Sequence, residues 1–241
     1  AAQVSAAWRV FTMILALGGI IAPALAPTLT QLWASGEKAK SNQLAMDAAQ
    51  VVFAMVSAAT LGAAFAGQAI FSLWLGQDMF IGRWAWAAYC VLLILQAVTV
   101  IPDAFVMQAA EHKRYARSGM VEATVKVLLG IVLMRYLGLA GLPFATLIAR
   151  AATTGWLLPL IFVRATEQKL LGWLWSVVRP SLVPAAVFAG TFLAGMSGLA
   201  IASPLGTFVV GFVAGVGFVV VFLVWGLPSS LRALLRRRAS S

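Results

Sequence analysis

The 241-residue sequence has little charge: Asp, Glu, Lys and Arg make up 10% of it, whereas apolar residues make up 62%. A soluble globular domain has about 25% charged and about 45–50% apolar residues, so the composition excludes a soluble fold. A bilayer core about 30 Å thick is crossed by about 20 apolar residues in helical form. We therefore predict an all-α polytopic membrane protein with about seven transmembrane helices and no large domain outside the bilayer.

Residues that build metal, redox and catalytic sites are also scarce. The single cysteine, Cys90, excludes a disulfide framework, and the single histidine leaves no zinc-binding pattern. There is no Gly-rich phosphate loop and no pair of carboxylates that suggests glycosyl transfer. We expect no enzyme activity, no cofactor and no metal site.

Acidic residues are outnumbered: 17 Lys and Arg stand against 7 Asp and Glu, which gives a net charge of +10. In a soluble chain such an excess would suggest nucleic acid, but in a membrane protein it is expected on cytoplasmic loops. We therefore predict membrane lipids and no nucleic acid as partners, with the basic tail around residues 232–238 resting on anionic lipid.

Charge-free stretches and apolar length place seven spans along the chain, near 9–34, 48–75, 83–108, 118–135, 139–163, 181–201 and 205–227. Three regions follow, namely five spans in 1–165, an interfacial linker at 166–180, and two additional spans with the basic tail in 181–241. Residues 164–180 combine tryptophans with flanking basic residues, which is typical of a helix lying in the interface. A linker with a frayed helix end explains them equally well.

The connections between these spans alternate in basic content. The first, third, fifth and last hold twelve Lys and Arg residues, whereas the others together with Arg9 hold three. Because cytoplasmic loops carry the excess of positive charge, we predict that the amino end of this chain lies outside and the carboxyl end in the cytoplasm. An odd number of spans agrees with that orientation.

Three short motifs lie in or beside the first five predicted spans. The first is Ala-Pro-Ala-Leu-Ala-Pro at 22–27, followed by Leu-Trp-Ala-Ser-Gly-Glu at 32–37. The second is Phe-Ser-Leu-Trp-Leu-Gly at 71–76, and the third is Gly-Leu-Ala-Gly-Leu-Pro-Phe-Ala-Thr-Leu-Ile at 138–148. Together they resemble the carboxyl half of the multidrug/oligosaccharidyl-lipid/polysaccharide exporter superfamily over residues from about 7 to 165. The two spans at 181–227 are similar to the extra pair that its fourteen-helix polysaccharide branch has.

This resemblance implies that the chain corresponds to helices eight to fourteen of a Wzx-like flippase. Such a protein moves an undecaprenyl-diphosphate-linked glycan across the inner (plasma) membrane by alternating access. The expected partners are the lipid-linked oligosaccharide and an amino-terminal lobe of the same protein, which would precede Ala1.

Three other functions remain open from the sequence. A cation-coupled multidrug extruder of the same superfamily has twelve helices, which leaves the last two spans unexplained. A membrane enzyme of glycan assembly would have a large outer loop, but every outer connection predicted here is short. An accessory subunit that only packs against a partner would not need an arginine at mid-membrane.

That arginine is Arg150, near the middle of the 139–163 span. A charge at the bilayer centre costs about 2.5–3.5 kcal/mol on insertion scales and usually faces a cavity or a partner. A guanidinium is suited to bidentate phosphate recognition, so Arg150 is the first candidate for contact with the diphosphate or an acidic sugar. An ion pair with an acid on another helix is the alternative.

Four further polar residues complete the candidate set. Glu122 and Lys126 share a helix face and are spaced to form an intrahelical ion pair, although Lys126 could bind substrate and Glu122 a coupling ion. Asp103, next to Pro102, is a second ion-coupling candidate, with pairing to the adjacent basic loop as its alternative. Gln96 could line a sugar pathway or make a helix-to-helix hydrogen bond.

Overall fold

A computed structural model of the chain describes residues 2–108, 112–198, 203–228, 230 and 232. Within those residues the fold is all helical. The helices are α1 (Ala2–Gly19), α2 (Ile21–Ala34), α3 (Lys38–Trp74), α4 (Arg83–Gln108), α5 (His112–Leu137), α6 (Gly141–Ala152), α7 (Thr154–Ala165), α8 (Leu170–Gly198) and α9 (Pro204–Val221), and a π-helical turn, Phe222–Gly226, extends the last of them.

Six helical segments of the described chain are long and apolar enough to cross a membrane, and one of them is a doubled segment. This segment, Tyr115–Ala165, has 51 residues and would measure about 77 Å as one straight helix. The chain instead reverses at Gly138, whose φ is +60°, and α6 packs back along α5. The multi-pass helical membrane fold is thus confirmed, and the reversal gives seven crossings, as the sequence predicts.

The main core lies between α1, α3, α4 and α7. Its largest fully buried side chains include Phe11, Phe71, Phe105 and Phe162, and Trp173 of α8 joins them. At one close approach, the Trp86 indole N–H donates to the Ala63 carbonyl at 2.7 Å and lies directly over Gly67. Since a Cβ at Gly67 would come within 2.3 Å of that nitrogen, α3 and α4 pack at this distance only with glycine there.

The last two spans form a second layer on the outside of α3. Helices α8 and α9 pack against each other and against α3. Their contact is a separate apolar cluster that includes Phe188, Phe192, Val210 and Phe218. The last two spans therefore lie on one side of the bundle built by the first five.

Residues 166–180, predicted to be an interfacial linker, are helical from Leu170 onward. Helix α8 begins at Leu170 and continues without a break through Pro180 and Pro184. Trp173 is only 2% exposed and packs on Phe162 with ring centroids 5.5 Å apart, whereas Trp175 is exposed. Helical geometry points these two tryptophans in nearly opposite directions, so only one of them is available to the membrane interface.

The connections between helices sort onto two ends of the bundle. At one end, Lys38 pairs with Glu167 at 3.6 Å and the Asn42 amide donates to the Thr166 carbonyl at 3.2 Å. At the other end, the Gln3 amide donates to the Asp78 carbonyl at 2.6 Å. The connections rich in Lys and Arg that the structure describes lie at the first of these ends, which is called the basic end below.

Candidate substrate and ion site

The candidate site lies where α4, α5 and the α6–α7 pair meet in the middle of the bundle. Arg150 is about 14 Å from the start of α6 at Gly141 and about 22 Å from the end of α7 at Ala165, at 1.5 Å per residue. Its side chain is 17% exposed. Arg150 therefore lies well inside the α6–α7 segment, nearer to its first end than to its second.

The helical span is broken three residues after Arg150. Thr153, with φ −122° and ψ −100°, separates α6 from α7, and its hydroxyl donates to the Ala149 carbonyl at 2.7 Å. Gly155 permits the break, because a Cβ there would lie 2.6 Å from the Arg150 carbonyl oxygen. The sequence predicts one uninterrupted span at 139–163 and misses this discontinuity. A threonine hydroxyl that bonds to the backbone can interrupt a helix, but a single threonine does not lower the hydropathy enough to mark the end of a span.

The Arg150 guanidinium has two partners on other helices. One terminal nitrogen, Nη1, lies 3.5 Å from Oε1 of Glu122 on α5, and the other, Nη2, donates to the Thr99 hydroxyl on α4 at 3.0 Å. The remaining nitrogen, Nε, is buried without a partner. Of the two interpretations of Arg150, the structure contains the ion pair with an acid on another helix, and it leaves part of the guanidinium fork unused.

Glu122 is held by a second contact as well. The Thr154 hydroxyl, on the first residue of α7, donates to its other carboxylate oxygen. A helix N-terminus favours negative charge within its first turn, so the break that ends α6 also creates a suitable position for this carboxylate. Glu122 is thus fixed between Arg150 at the end of one short helix and Thr154 at the start of the next.

Lys126 does not form the predicted intrahelical pair with Glu122. Glu122 turns toward Arg150 instead, and the Lys126 ammonium lies over the ring of Trp8 on α1, 5.7 Å from its centroid. A cation over an indole face is stabilised by the ring quadrupole, most strongly away from water. Glu122 pairs with Arg150 rather than with Lys126 because the packing of α5 on α6 brings the carboxylate and the guanidinium together.

Asp103 has a neutral partner within the predicted basic loop. Its carboxylate interacts with Tyr115 near the beginning of α5. Tyr115 carries no charge and supplies no signal that a search for ionisable pairs would find. The neighbouring Pro102 lies inside α4, which continues past it to Gln108.

These groups line one cavity of about 310 Å³. Its wall contains four of the five sequence candidates, namely Asp103, Glu122, Lys126 and Arg150, together with Tyr115 and Thr154. Gln96 does not line it, although it shares a face of α4 with Thr99 one turn away, whose hydroxyl donates to the Gln96 carbonyl at 3.0 Å. The volume falls at the lower limit of ligand pockets, about 300 Å³.

A second, larger groove of about 630 Å³ is apolar and runs between α1, α3 and α9. Its floor is made of small residues of α3 and α9, including Gly62, Ala63, Ala66, Gly211 and Gly215. Helix α1 contributes to both spaces, since it places Trp8 over Lys126 and Val10, Ile14 and Leu17 in the groove. A polar site and an apolar groove are therefore neighbours across one helix.

Sequence reasoning missed the neutral partners, Thr99, Tyr115 and Thr154, and one further acid. Asp47 is buried in α3 and accepts from the Gln43 amide at 2.7 Å and from the Ser230 hydroxyl. It lies just before the predicted span at 48–75, whereas α3 begins ten residues earlier at Lys38. A prediction that takes charge-free stretches as spans cannot include a charged residue such as Asp47.

Comparison with known proteins gives no further evidence about this site. No protein-family model, no curated protein and no solved structure matches the chain. The functional assignment therefore depends on the chemistry of the residues above.

Proposed function

We propose that the chain is the carboxyl half of a lipid-linked oligosaccharide flippase of the multidrug/oligosaccharidyl-lipid/polysaccharide exporter superfamily. In this proposal it works in the inner membrane with an amino-terminal lobe of the same protein. Its substrate is a glycan on undecaprenyl diphosphate, which it passes between leaflets by alternating access. The basic end faces the cytoplasm, in accordance with the positive-inside rule.

The observation that carries the proposal is the mid-membrane cavity with Arg150 and Lys126 in its wall. Two cations at this depth are costly unless they face water, an anion or an acid, and a guanidinium with an unused N–H suits a phosphate. The apolar groove on the other side of α1 offers a surface for a lipid chain. An accessory subunit that only packs against a partner needs neither feature.

Discontinuous and bent helices support transport in particular. Transporters often form their sites where helices are interrupted at mid-membrane, because the exposed helix ends bind ions and polar groups. The α6–α7 break at Thr153 lies beside Arg150, and α1 passes into α2 at Ile20, just after Gly18 and Gly19. Both features suit a bundle that changes shape during a cycle.

A cation-coupled multidrug extruder is the second candidate, and the two carboxylates favour it. Asp103 and Glu122 give the same cavity an affinity for cations. The flippase is preferred because α8 and α9, which form a layer of their own on α3, fit the fourteen-helix branch.

Binding by the purified chain in lipid nanodiscs separates the two candidates. We expect undecaprenyl diphosphate to raise the melting temperature, while tetraphenylphosphonium, a lipophilic cation, leaves it unchanged. Arg150→Ala should remove the shift, and Arg150→Lys should restore it only in part because the fork is lost. Asp47→Asn, which alters a buried charge outside the cavity, should retain the full shift.

Stabilisation by the cation alone would favour the drug extruder. A shift from undecaprenyl diphosphate that persists in Arg150→Ala would mean that the cavity is not the diphosphate site, and the proposal would have to be abandoned.

A further inference from the structure

We propose that Glu122 is a built-in competitor of the anionic substrate: its carboxylate pairs with Arg150, and a diphosphate binds by displacing it. The inference rests on the proposed function of the cavity as a diphosphate site. It gives Glu122 a specificity-determining role, although the negative charge of Glu122 repels the anion that Arg150 is proposed to bind.

The charge balance of the cavity is the first reason. Among the described residues, two cations, Lys126 and Arg150, and two acids, Asp103 and Glu122, line it, so the formal charge of this described lining is zero. A diphosphate entering this space meets carboxylates as well as cations. Binding is favourable only if at least one carboxylate gives up its place.

The ion pair itself is loosely made, which is the second reason. The distance of 3.5 Å between Nη1 and Oε1 is longer than a charge-assisted hydrogen bond of about 2.7–2.9 Å. The Nε–H of Arg150 is unused, although it is half of the edge with which a guanidinium grips a phosphate in bidentate fashion. A diphosphate can therefore make contacts with Arg150 that Glu122 does not make.

The displaced carboxylate also has a second partner within reach. Lys126 lies four residues after Glu122 on α5, on the same helix face, in the order that stabilises such pairs. The Lys126 ammonium lies over the face of Trp8. Glu122 can thus exchange an interhelical pair with Arg150 for an intrahelical pair with Lys126, which keeps its charge compensated while the diphosphate occupies Arg150.

The other acid of the cavity is a weaker competitor. Asp103 interacts with Tyr115, and the acid within salt-bridge distance of Arg150 is Glu122. Charge removal at the two positions should therefore have unequal effects on anion binding. A larger effect at Glu122 than at Asp103 is specific to this geometry, because a general change in the electrostatic potential of the cavity would affect anion binding similarly from either position.

The test is titration of the purified chain in zwitterionic nanodiscs with inorganic pyrophosphate, followed by calorimetry. We expect Glu122→Gln to lower the dissociation constant at least tenfold and Asp103→Asn to lower it by a smaller factor. Asp47→Asn removes a buried carboxylate outside the cavity and should leave the dissociation constant unchanged. An unchanged or weaker affinity in Glu122→Gln would overturn the inference, since Glu122 would then be positioning Arg150 for the ligand.

A second measurement needs no variant, which covers the case in which Glu122→Gln folds poorly. Dicyclohexylcarbodiimide modifies protonated carboxyl groups in membranes, and the modified residue can be read by mass spectrometry. Pyrophosphate should raise modification at Glu122 severalfold and leave Asp47 unchanged, because displacement replaces its two present partners, the Arg150 guanidinium and the Thr154 hydroxyl, with Lys126 alone. Protection of Glu122 by pyrophosphate would contradict displacement.

The two proposals fail in distinguishable ways. If undecaprenyl diphosphate binds in an Arg150-dependent manner but Glu122→Gln gains no affinity for pyrophosphate, the competitor role is wrong and the flippase proposal remains. If undecaprenyl diphosphate gives no Arg150-dependent shift and neither the native chain nor Glu122→Gln binds pyrophosphate, both are wrong.

Discussion

The pair formed by Arg150 and Glu122 should be strongly coupled in stability, and the structure allows the size of that coupling to be estimated. Unit charges 3.5 Å apart attract each other by about 5 kcal/mol at an effective dielectric constant of about 20. Loss of hydration opposes this attraction, so the pair adds little net stability. Removing one partner, however, leaves an uncompensated charge and costs about 3–5 kcal/mol.

The appropriate experiment is a double-mutant cycle with Arg150→Met, Glu122→Gln and the two combined. Each single variant should lose about 3–5 kcal/mol of unfolding free energy. The double variant should lose far less than the sum of the two single variants, because neither residual charge remains and the pair itself adds little net stability. Unfolding in mixed micelles of dodecylmaltoside and SDS, followed by circular dichroism, measures these differences.

The chain contains a matched control pair at nearly the same separation. Lys38 and Glu167 lie 3.6 Å apart at the basic end, with side chains 56% and 80% exposed. A cycle of Lys38→Met and Glu167→Gln should give a coupling of only about 0–1 kcal/mol, since water and salt screen the pair. Equal coupling in the two cycles, or additivity in the first, would show that Arg150 and Glu122 are as well hydrated as a surface pair and would refute the reasoning.

Two further predictions concern packing and topology. Gly67→Ala should lose about 2–4 kcal/mol of unfolding free energy, because its new methyl group displaces the Trp86 indole and breaks its hydrogen bond. Gly62→Ala, with nothing within 4 Å of its Cβ, should stay within about 1 kcal/mol of the native chain. Equal losses in the same unfolding assay would contradict the close approach of α3 and α4. Single cysteines at Asp78 and Lys169, in a chain without its native cysteine, should react with an impermeant thiol reagent from opposite sides of the membrane, and reaction from one side only would rule out the two-ended arrangement.

The sequence predicts the number of crossings because hydrophobic length is a property of contiguous residues. Even the doubled segment Tyr115–Ala165 is divided correctly, since 51 residues exceed what one crossing can use. The boundaries are less accurate. Helix α3 begins at Lys38 rather than near residue 48, and α8 begins at Leu170 rather than at 181, because charged and aromatic residues at helix ends resemble loops in composition.

Within the site, the sequence identifies the ionisable residues and misses their partners. Arg150 and Glu122 stand out because charge is rare inside a span. Their pairing depends on how α5 packs on α6, and an i,i+4 rule applied to α5 alone selects Lys126 instead. Thr99 and Thr154 escape detection altogether, because a threonine in a membrane helix is ordinary until a charged group lies beside it.

The α6–α7 break gives the site its chemical character. A continuous helix through Thr153 would satisfy its own backbone and offer no helix end to Glu122. The break instead places the last turn of α6, which holds Arg150, beside the first turn of α7, which holds Thr154. A carboxylate from α5 then bridges the two, so any ligand that takes Arg150 from Glu122 also removes a link between two short helices. In the proposed flippase, substrate binding and helix movement would therefore change the same ion pair, which is the coupling that alternating access requires.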